Sequence, residues 1–240
     1  EPYETSFSLA IAPDARTFLL GTNWNLRLFD RTGNQKWQVP APSVTWAVNI
    51  SGNGKHAVAA FSDGTIRWYR MTDGRELLAF FPHKDRKRWV MWSPSGYYDC
   101  SPGADELIGW HVNNGKENAA DFFPVARFRS TYYRPDVIAR VLGVVDEGEA
   151  IRLANAESGR KLQDVTIQKM LPPVVTIVSP VDGTAVSSSR IDLKFSLRSP
   201  SGEPVTAVKV LVDGRPLEAQ RGIQVVGKAS GEGETRELPI

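Results

Sequence analysis

Apolar and polar residues alternate in short runs through the first 124 residues, and Gly, Asn, Asp and Pro cut the runs at recurring places. The first set is Ala10-Ile11-Ala12-Pro13-Asp14, then Phe18-Leu19-Leu20, then Asn25 to Asp30. The second is Val48 to Gly54, then Ala57-Val58-Ala59-Ala60, then Asp63 to Tyr69. The third is Val90 to Gly96, then Tyr97-Tyr98-Asp99, then Glu106 to His111. Alternation with period two predicts half-buried β-strands, and the cuts predict hairpin turns.

The sets repeat: Ala12 and Ser51 are 39 residues apart, Ser51 and Ser93 are 42, and Phe29 and Tyr69 are 40. A period of about 40 to 45 is that of a four-stranded propeller blade, a unit that buries its apolar face only by stacking on a neighbour. Three turns divide each repeat. The first is Pro13-Asp14, Gly52-Asn53-Gly54 and Pro94-Ser95-Gly96; the second is Thr22-Asn23, Asp63-Gly64 and Asp105-Glu106. The third is Thr32-Gly33-Asn34, Thr72-Asp73-Gly74 and Asn113-Asn114-Gly115. Residues 1–124 are therefore expected to form three four-stranded blades with inner strands near Ala10, Val48 and Met91.

The period changes after Phe122. Val137, Ile138, Val141 and Leu142 follow Pro135-Asp136 at helical spacing, with Gly143 as the expected stop. A second helix is predicted from Glu147 and Glu149 through Ile151, Leu153 and Ala154 to Gly159, with Arg160 and Lys161 after it. Residues 125–171 thus read as a helical connector against the propeller edge. Beyond Pro172-Pro173 alternation returns at Ile191 to Leu197 and at Val208, Val210 and Val212 before Asp213-Gly214. Turns at Pro180 to Gly183 and Ser199 to Gly202 space these strands as in an antiparallel sandwich. The fold class expected is mainly β: a partial propeller, a short helical connector, and a partial immunoglobulin-like sandwich over residues 172–240.

Composition narrows the chemistry. The chain of 240 residues is 41% hydrophobic and 23% charged with a net charge of +2, globular values that by themselves point to neither membrane nor nucleic acid. No apolar run of membrane-spanning length occurs, and a cytoplasmic location is expected, with an extracytoplasmic one left open. Cys100 is the one cysteine, which excludes an intrachain disulfide and a cysteine zinc cluster. All seven tryptophans precede residue 111, a break that marks a change of domain.

Several segments resemble the last blades of bacterial WD-repeat proteins: Trp46 to Gly52, Asp63 to Trp68, Asp73 to Ala79, Gly96 to Asp99 and Leu107 to His111. So do Ala120 to Pro124, Phe128-Arg129, and Tyr132 to Asp136. The blades lack that family's usual Gly-His opening, and Phe29-Asp30 alone keeps the acidic half of its signature dipeptide. In that family an immunoglobulin-like domain opening on a Pro-Pro and Ser-Pro pattern follows the propeller, as at Pro172-Pro173 and Ser179-Pro180, and a caspase-like cysteine peptidase domain comes next. The resemblance implies a non-catalytic recognition module that regulates or scaffolds such a peptidase in the parent protein. The alternatives are a chain that contributes residues to an assembled peptidase active site, and a purely structural β-scaffold.

Catalytic, metal and cofactor sites are not expected within these residues. Cys100 has His56, His83 and His111 as possible partners, none in a caspase-like context, and the three histidines show no metal-ligand spacing. Gly231-Glu232-Gly233 lacks the strand and helix of a phosphate loop. The residues singled out for partner binding are Lys84, Arg86, Lys87, Arg88 and Trp89, a basic loop beside an indole that suits an acidic partner through charge and stacking. The expected partner is a protein or the remaining segments of the same protein. The folds at both ends are expected to be interrupted, leaving the flat face of a terminal blade uncovered.

Overall fold

The computed structural model describes residues 2–116, 119–160, 166–185, 191–212, 215–216, 223–224 and 234–239. The chain divides into two compact units, Glu1–Leu162 and Gln163–Ile240. The Asp213-Gly214 turn, the Gly231-Glu232-Gly233 segment and Lys161 lie outside the described residues.

In the first unit, β1 (Ser6–Ile11), β2 (Thr17–Thr22), β3 (Asn25–Asp30) and β4 (Gln35–Pro40) form one antiparallel meander in chain order. β5 (Thr45–Ile50), β6 (His56–Phe61), β7 (Ile66–Arg70) and β8 (Glu76–Pro82) form the second. The two sheets share a register detail: the pairing slips at Phe7 between Ser6 and Ser8, and at Trp46 between Thr45 and Ala47, the same repeat position. They stack face to face. Leu19, Leu26, Leu28 and Trp37 of the first bury against Ile50, Ala57, Ala59, Phe61, Tyr69 and Met71 of the second.

The third repeat departs from the four-stranded blade expected of it. β9 (Trp89–Trp92) pairs antiparallel with β8, and β10 (Tyr98–Cys100) pairs with β9, so the second sheet has the order β10-β9-β8-β7-β6-β5. β11 (Gly109–Val112) and β12 (Asp121–Pro124) form a separate hairpin. The reason lies in the connections. Pro40-Ala41-Pro42 between the first two repeats lacks two backbone donors and holds the chain extended into the next sheet. Between the second and third repeats, Asp85 and the left-handed Arg86 (φ 59) close a tight loop that returns the chain beside β8. The expected turn at Asp105-Glu106 is a 3-10 helix, Ala104–Glu106, reached through Pro102 and Gly103, which end β10 after three residues. β11 therefore never reaches β10.

The helical segment follows its capping chemistry. A 3-10 turn at Val125–Phe128 and the short α1 (Arg129–Tyr132) lead into α2 (Pro135–Val144) and α3 (Glu147–Ser158). α2 runs past the expected stop at Gly143, and Val145 takes the left-handed turn (φ 59) because α3 begins at once behind its cap. That cap is Asp146, whose carboxylate accepts from Glu149 N, while Gly159 closes α3 as expected. Val137, Val141, Ala150 and Ala154 pack on Leu77 of β8. Arg134 N–H donates to Tyr98 O at 2.9 Å, and His56 Nε2 donates to Leu142 O at 2.9 Å. No described helix is long and apolar enough to cross a membrane.

In the second unit, a short α4 (Ile167–Met170) precedes β13 (Val174–Ser179), which pairs with β14 (Asp192–Arg198). The short strands β15 (Ala207–Val208), β16 (Leu211–Val212), β17 (Arg215–Pro216) and β18 (Ile223–Gln224) pair as β15-β18 and β16-β17, and β19 (Glu234–Pro239) pairs with β14. Alternation on β14 buries Leu193, Phe195 and Leu197. The two predicted turns close at Gly183 and Gly202, both at positive φ.

Candidate functional site

Leu9 and Ile11 on β1 are 54% and 66% exposed, while Ala10 between them packs into the core. Directly opposite residues in an antiparallel pair share a face. Leu9 stands opposite Leu20 and Ile11 opposite Phe18, and Phe18 stands opposite Phe29 with the two rings stacked at 5.2 Å. One face of the first sheet is thus an apolar surface in water. Phe7, at the bulge, is 43% exposed and meets the edge of the exposed Trp46 at 5.7 Å. A recess of about 270 Å³ lies beside Leu9, Ile11 and Phe18, with Arg31 at its margin.

The repeat explains what this surface is built for. Leu9, Ile11, Phe18 and Leu20 stand 39 residues before Val48, Ile50, Ala57 and Ala59, and Phe29 stands 40 before Tyr69. In the second sheet these positions form the face that stacks on the first: Ile50, Ala57, Ala59 and Tyr69 are at most 8% exposed, with Val48 packed against them. The first sheet presents the same face with no second sheet on it among the described residues, Glu4 alone reaching its Thr22–Arg27 end. Both faces of the sheet are apolar, so the sequence has prepared it to be sandwiched.

Polar groups close one end of this face, where Arg27 stands opposite Leu20. Glu4 accepts from Thr22 Oγ1 at 2.5 Å and Asn25 Nδ2 at 2.8 Å, and pairs with Arg27 at 2.5 Å. Burial works to raise the Glu4 pKa, but these bonds outweigh it and the group is lowered to about 2. Asp30 accepts from Thr32 and Asn34 across the next turn, and the same bonds hold its carboxyl well below the usual range.

The basic loop takes a defined shape between β8 and β9. Asp85 accepts from the Lys87 and Arg88 amides at 2.9 Å and from Arg88 Nε at 2.7 Å, which holds its carboxyl well below the usual carboxylate range. Arg88 is thereby spent inside the loop. Lys84, Arg86 and Lys87 are exposed, and Trp89 is half-buried and tilted toward Phe80 at 6.4 Å. The five residues singled out from sequence are therefore neighbours, with three cations facing solvent.

Cys100 ends β10, the second strand of its repeat, opposite Val90. Burial pushes its thiol pKa up, with the charges of Asp105 and Asp99 adding and Arg129 opposing. A raised pKa keeps the thiol protonated, the reverse of what a nucleophile needs. His56 is tied to Leu142 O, His83 lies 3.0 Å from Asp85 Oδ2, and His111 is exposed on β11.

No family model and no curated protein matches the chain. Among solved structures, it is similar to BamB from Moraxella catarrhalis at 19% identity, over 40% of this chain and 34% of that one, with a TM-score of 0.30. The WD40 repeats of RRP9 match at 13% identity over 39% and 37% of the two chains, with a TM-score of 0.33. The C-terminal WD40 domain of Sif2 matches at 17% identity over 41% and 31%, with a TM-score of 0.32. The chain spans about a third of the length of these structures. At such scores the reading of the sheets as blades rests on the strand pairing and the repeat alignment.

Sequence reasoning anticipated an uncovered blade face without naming its residues. The signal was present in Phe7, Leu9 and Ile11 alternating with Ser8 and Ala10, and again in Phe18 and Leu20 around Leu19, runs apolar on both sides.

Proposed function

We propose that this chain is a non-catalytic protein-interaction module whose working surface is the uncovered face of the first sheet. The observation that carries it is the repeat equivalence: Leu9, Ile11, Phe18, Leu20 and Phe29 occupy positions whose counterparts in the second sheet are buried at a sheet-to-sheet interface. Fully covering a large apolar side chain stabilises by about 1.5–3 kcal/mol. Five such side chains, already part-buried, offer roughly 4–8 kcal/mol of gross association energy. The occupant is another blade-like sheet face, from a protein partner or from further segments of the same protein.

The finer reading comes from the family resemblance. It makes residues 172–240 an immunoglobulin-like domain behind the blades and assigns the module the recognition step that regulates or scaffolds a caspase-like cysteine peptidase in the parent. The exposed Lys84, Arg86 and Lys87 supply a separate basic patch for an acidic stretch of that partner.

Photo-cross-linking tests the surface. With p-benzoylphenylalanine replacing Leu9 in the parent protein, cross-links to a folded partner or to another part of the parent are expected well above those from the same probe at the exposed Lys36. Equal yields from the two positions would overturn the assignment.

A further inference from the structure

A cleft of about 530 Å³ opens within the first unit between the second sheet and the β11–β12 hairpin. Trp92 and Pro94 line it from the β9 side, Ile108 and Trp110 from the β11 side, and Arg67 and Glu76 from β7 and β8. Its size suits one long side chain with its flanking backbone, and its walls are mainly apolar, as ligand sites generally are.

Trp110 is a fixed wall. Gly96 sits at φ +88, and a Cβ there would lie 2.3 Å from Trp110 Cη2, so the indole rests directly on the glycine backbone. Its other neighbour is the Tyr132 ring at 5.4 Å. Trp92 is half-buried, and among the described residues its ring stacks on no other aromatic.

The charged groups decide the sign of the ligand. Arg67 is engaged by Glu76 at 3.1 Å and by Asp63 at 3.5 Å, and its Nε donates to Thr65 Oγ1 at 3.1 Å. Two carboxylates thus share one guanidinium. A third, Glu147, lies just outside the lining, accepting from Ser95 N at 3.0 Å between the lining residues Pro94 and Gly96. An ionised carboxylate offers about four acceptor sites. Glu76, with its side chain 25% exposed, keeps capacity for a second cation. Within the lining Arg67 and Glu76 balance, and Asp63 and Glu147 just outside it tip the surroundings of the indoles to negative charge.

We infer that this cleft receives an arginine side chain from an extended segment of a protein partner, stacked on Trp92 with its guanidinium toward Glu76. Arginine fits better than lysine because a planar guanidinium can lie on an indole and still offer a fork of donors to a carboxylate. The site lies at the opposite end of β9 from the Lys84–Arg88 loop, so the two surfaces read opposite charges. The inference deepens the interaction reading and rests on it.

The test is a titration of the ¹⁵N-labelled chain with Nα-acetyl-arginine N-methylamide and with the citrulline counterpart, which has the same shape without the charge. Saturable shifts of the Trp92 and Trp110 indole signals are expected with the arginine compound, with at least tenfold weaker binding for citrulline and for the Glu76→Gln variant. The comparison on the unaltered chain stands even if that variant misfolds. Equal affinity for the two compounds, tighter binding of Nα-acetyl-glutamate N-methylamide, no saturable shift, or shifts confined to Trp24 and Trp46 would each overturn it. These signals report the cleft and cross-linking at position 9 reports the sheet face, so either can fail alone.

Discussion

Trp37 is the latch between the two sheets, and replacing it tests how they are held. The residue lies within β4 with 8% of its surface exposed, and its indole Nε1 donates to Met71 O in the next repeat at 2.8 Å. The Asp73-Gly74 turn is shaped around it: Gly74 sits at φ +74, and a Cβ there would lie 2.7 Å from Trp37 Cε3. Trp37→Phe keeps a ring in the seat but removes the donor, leaving the Met71 carbonyl buried without a partner at a cost of about 1–3 kcal/mol. The smaller ring also leaves a void of roughly 40 Å³, worth about 1 kcal/mol at ~24 cal/mol per Å³. The expected loss is about 2–4 kcal/mol, whereas Trp46→Phe at a 60% exposed position is expected to cost under about 0.5 kcal/mol. Intrinsic tryptophan fluorescence during urea unfolding is the right assay, because all seven tryptophans lie in the first unit and the second is silent. A Trp37→Phe midpoint within 0.5 kcal/mol of the unaltered protein would refute the latch.

Tyr98 is fully buried, and its hydroxyl has no hydrogen-bond partner among the described residues, so Tyr98→Phe is expected to leave stability at pH 7 unchanged or up to about 1 kcal/mol higher. Burial pushes the Tyr98 pKa up to about 12, so its neutral form supports the fold fully below pH 10 and that support is lost as pH rises toward 12; the variant should flatten this alkaline limb in a urea-midpoint series, and a loss above 1 kcal/mol at pH 7 would contradict it. Asp136 receives three hydrogen bonds from Arg134, which is 5% exposed and also donates to Asn155 Oδ1 at 2.9 Å. Those bonds hold the Asp136 pKa below its ordinary value, so its contribution is present above about pH 4 and is lost as pH falls further. Asp136→Asn is expected to cost about 2–4 kcal/mol at pH 7, less than a fully buried pair because the carboxylate is 37% exposed, and to weaken the acid limb; a change under 0.5 kcal/mol at pH 7 would argue against it.

Local chemistry made the first two sheets legible. Turn glycines at 33, 54, 64 and 74 all take the positive φ their spacing predicted, and Pro135, Asp146 and Gly159 bound the two longer helices as their caps require. The third repeat was not legible as a unit, because its strands depend on which neighbour they pair with. Nothing local in Trp89 to Trp92 distinguishes the first strand of a new blade from a fifth strand on the old one; the Asp85-closed loop decides that, by returning the chain alongside β8. The Lys84–Trp89 cluster was visible as a charge run, but the Asp85 bonds that withdraw Arg88 from it arise only in the folded loop. An uncovered blade face was expected, but its residues were not: only the stack shows that the sole described partner sheet lies on the far side from Leu9 and Ile11.

Sedimentation velocity of the 240-residue chain from about 1 to 100 μM tests the central claim most directly. An uncovered apolar sheet face predicts concentration-dependent association of the unaltered chain. The double variant Leu9→Glu, Ile11→Glu should be monomeric throughout with an unchanged far-UV circular dichroism spectrum. A strictly monomeric unaltered chain with a single cooperative melt would contradict the account.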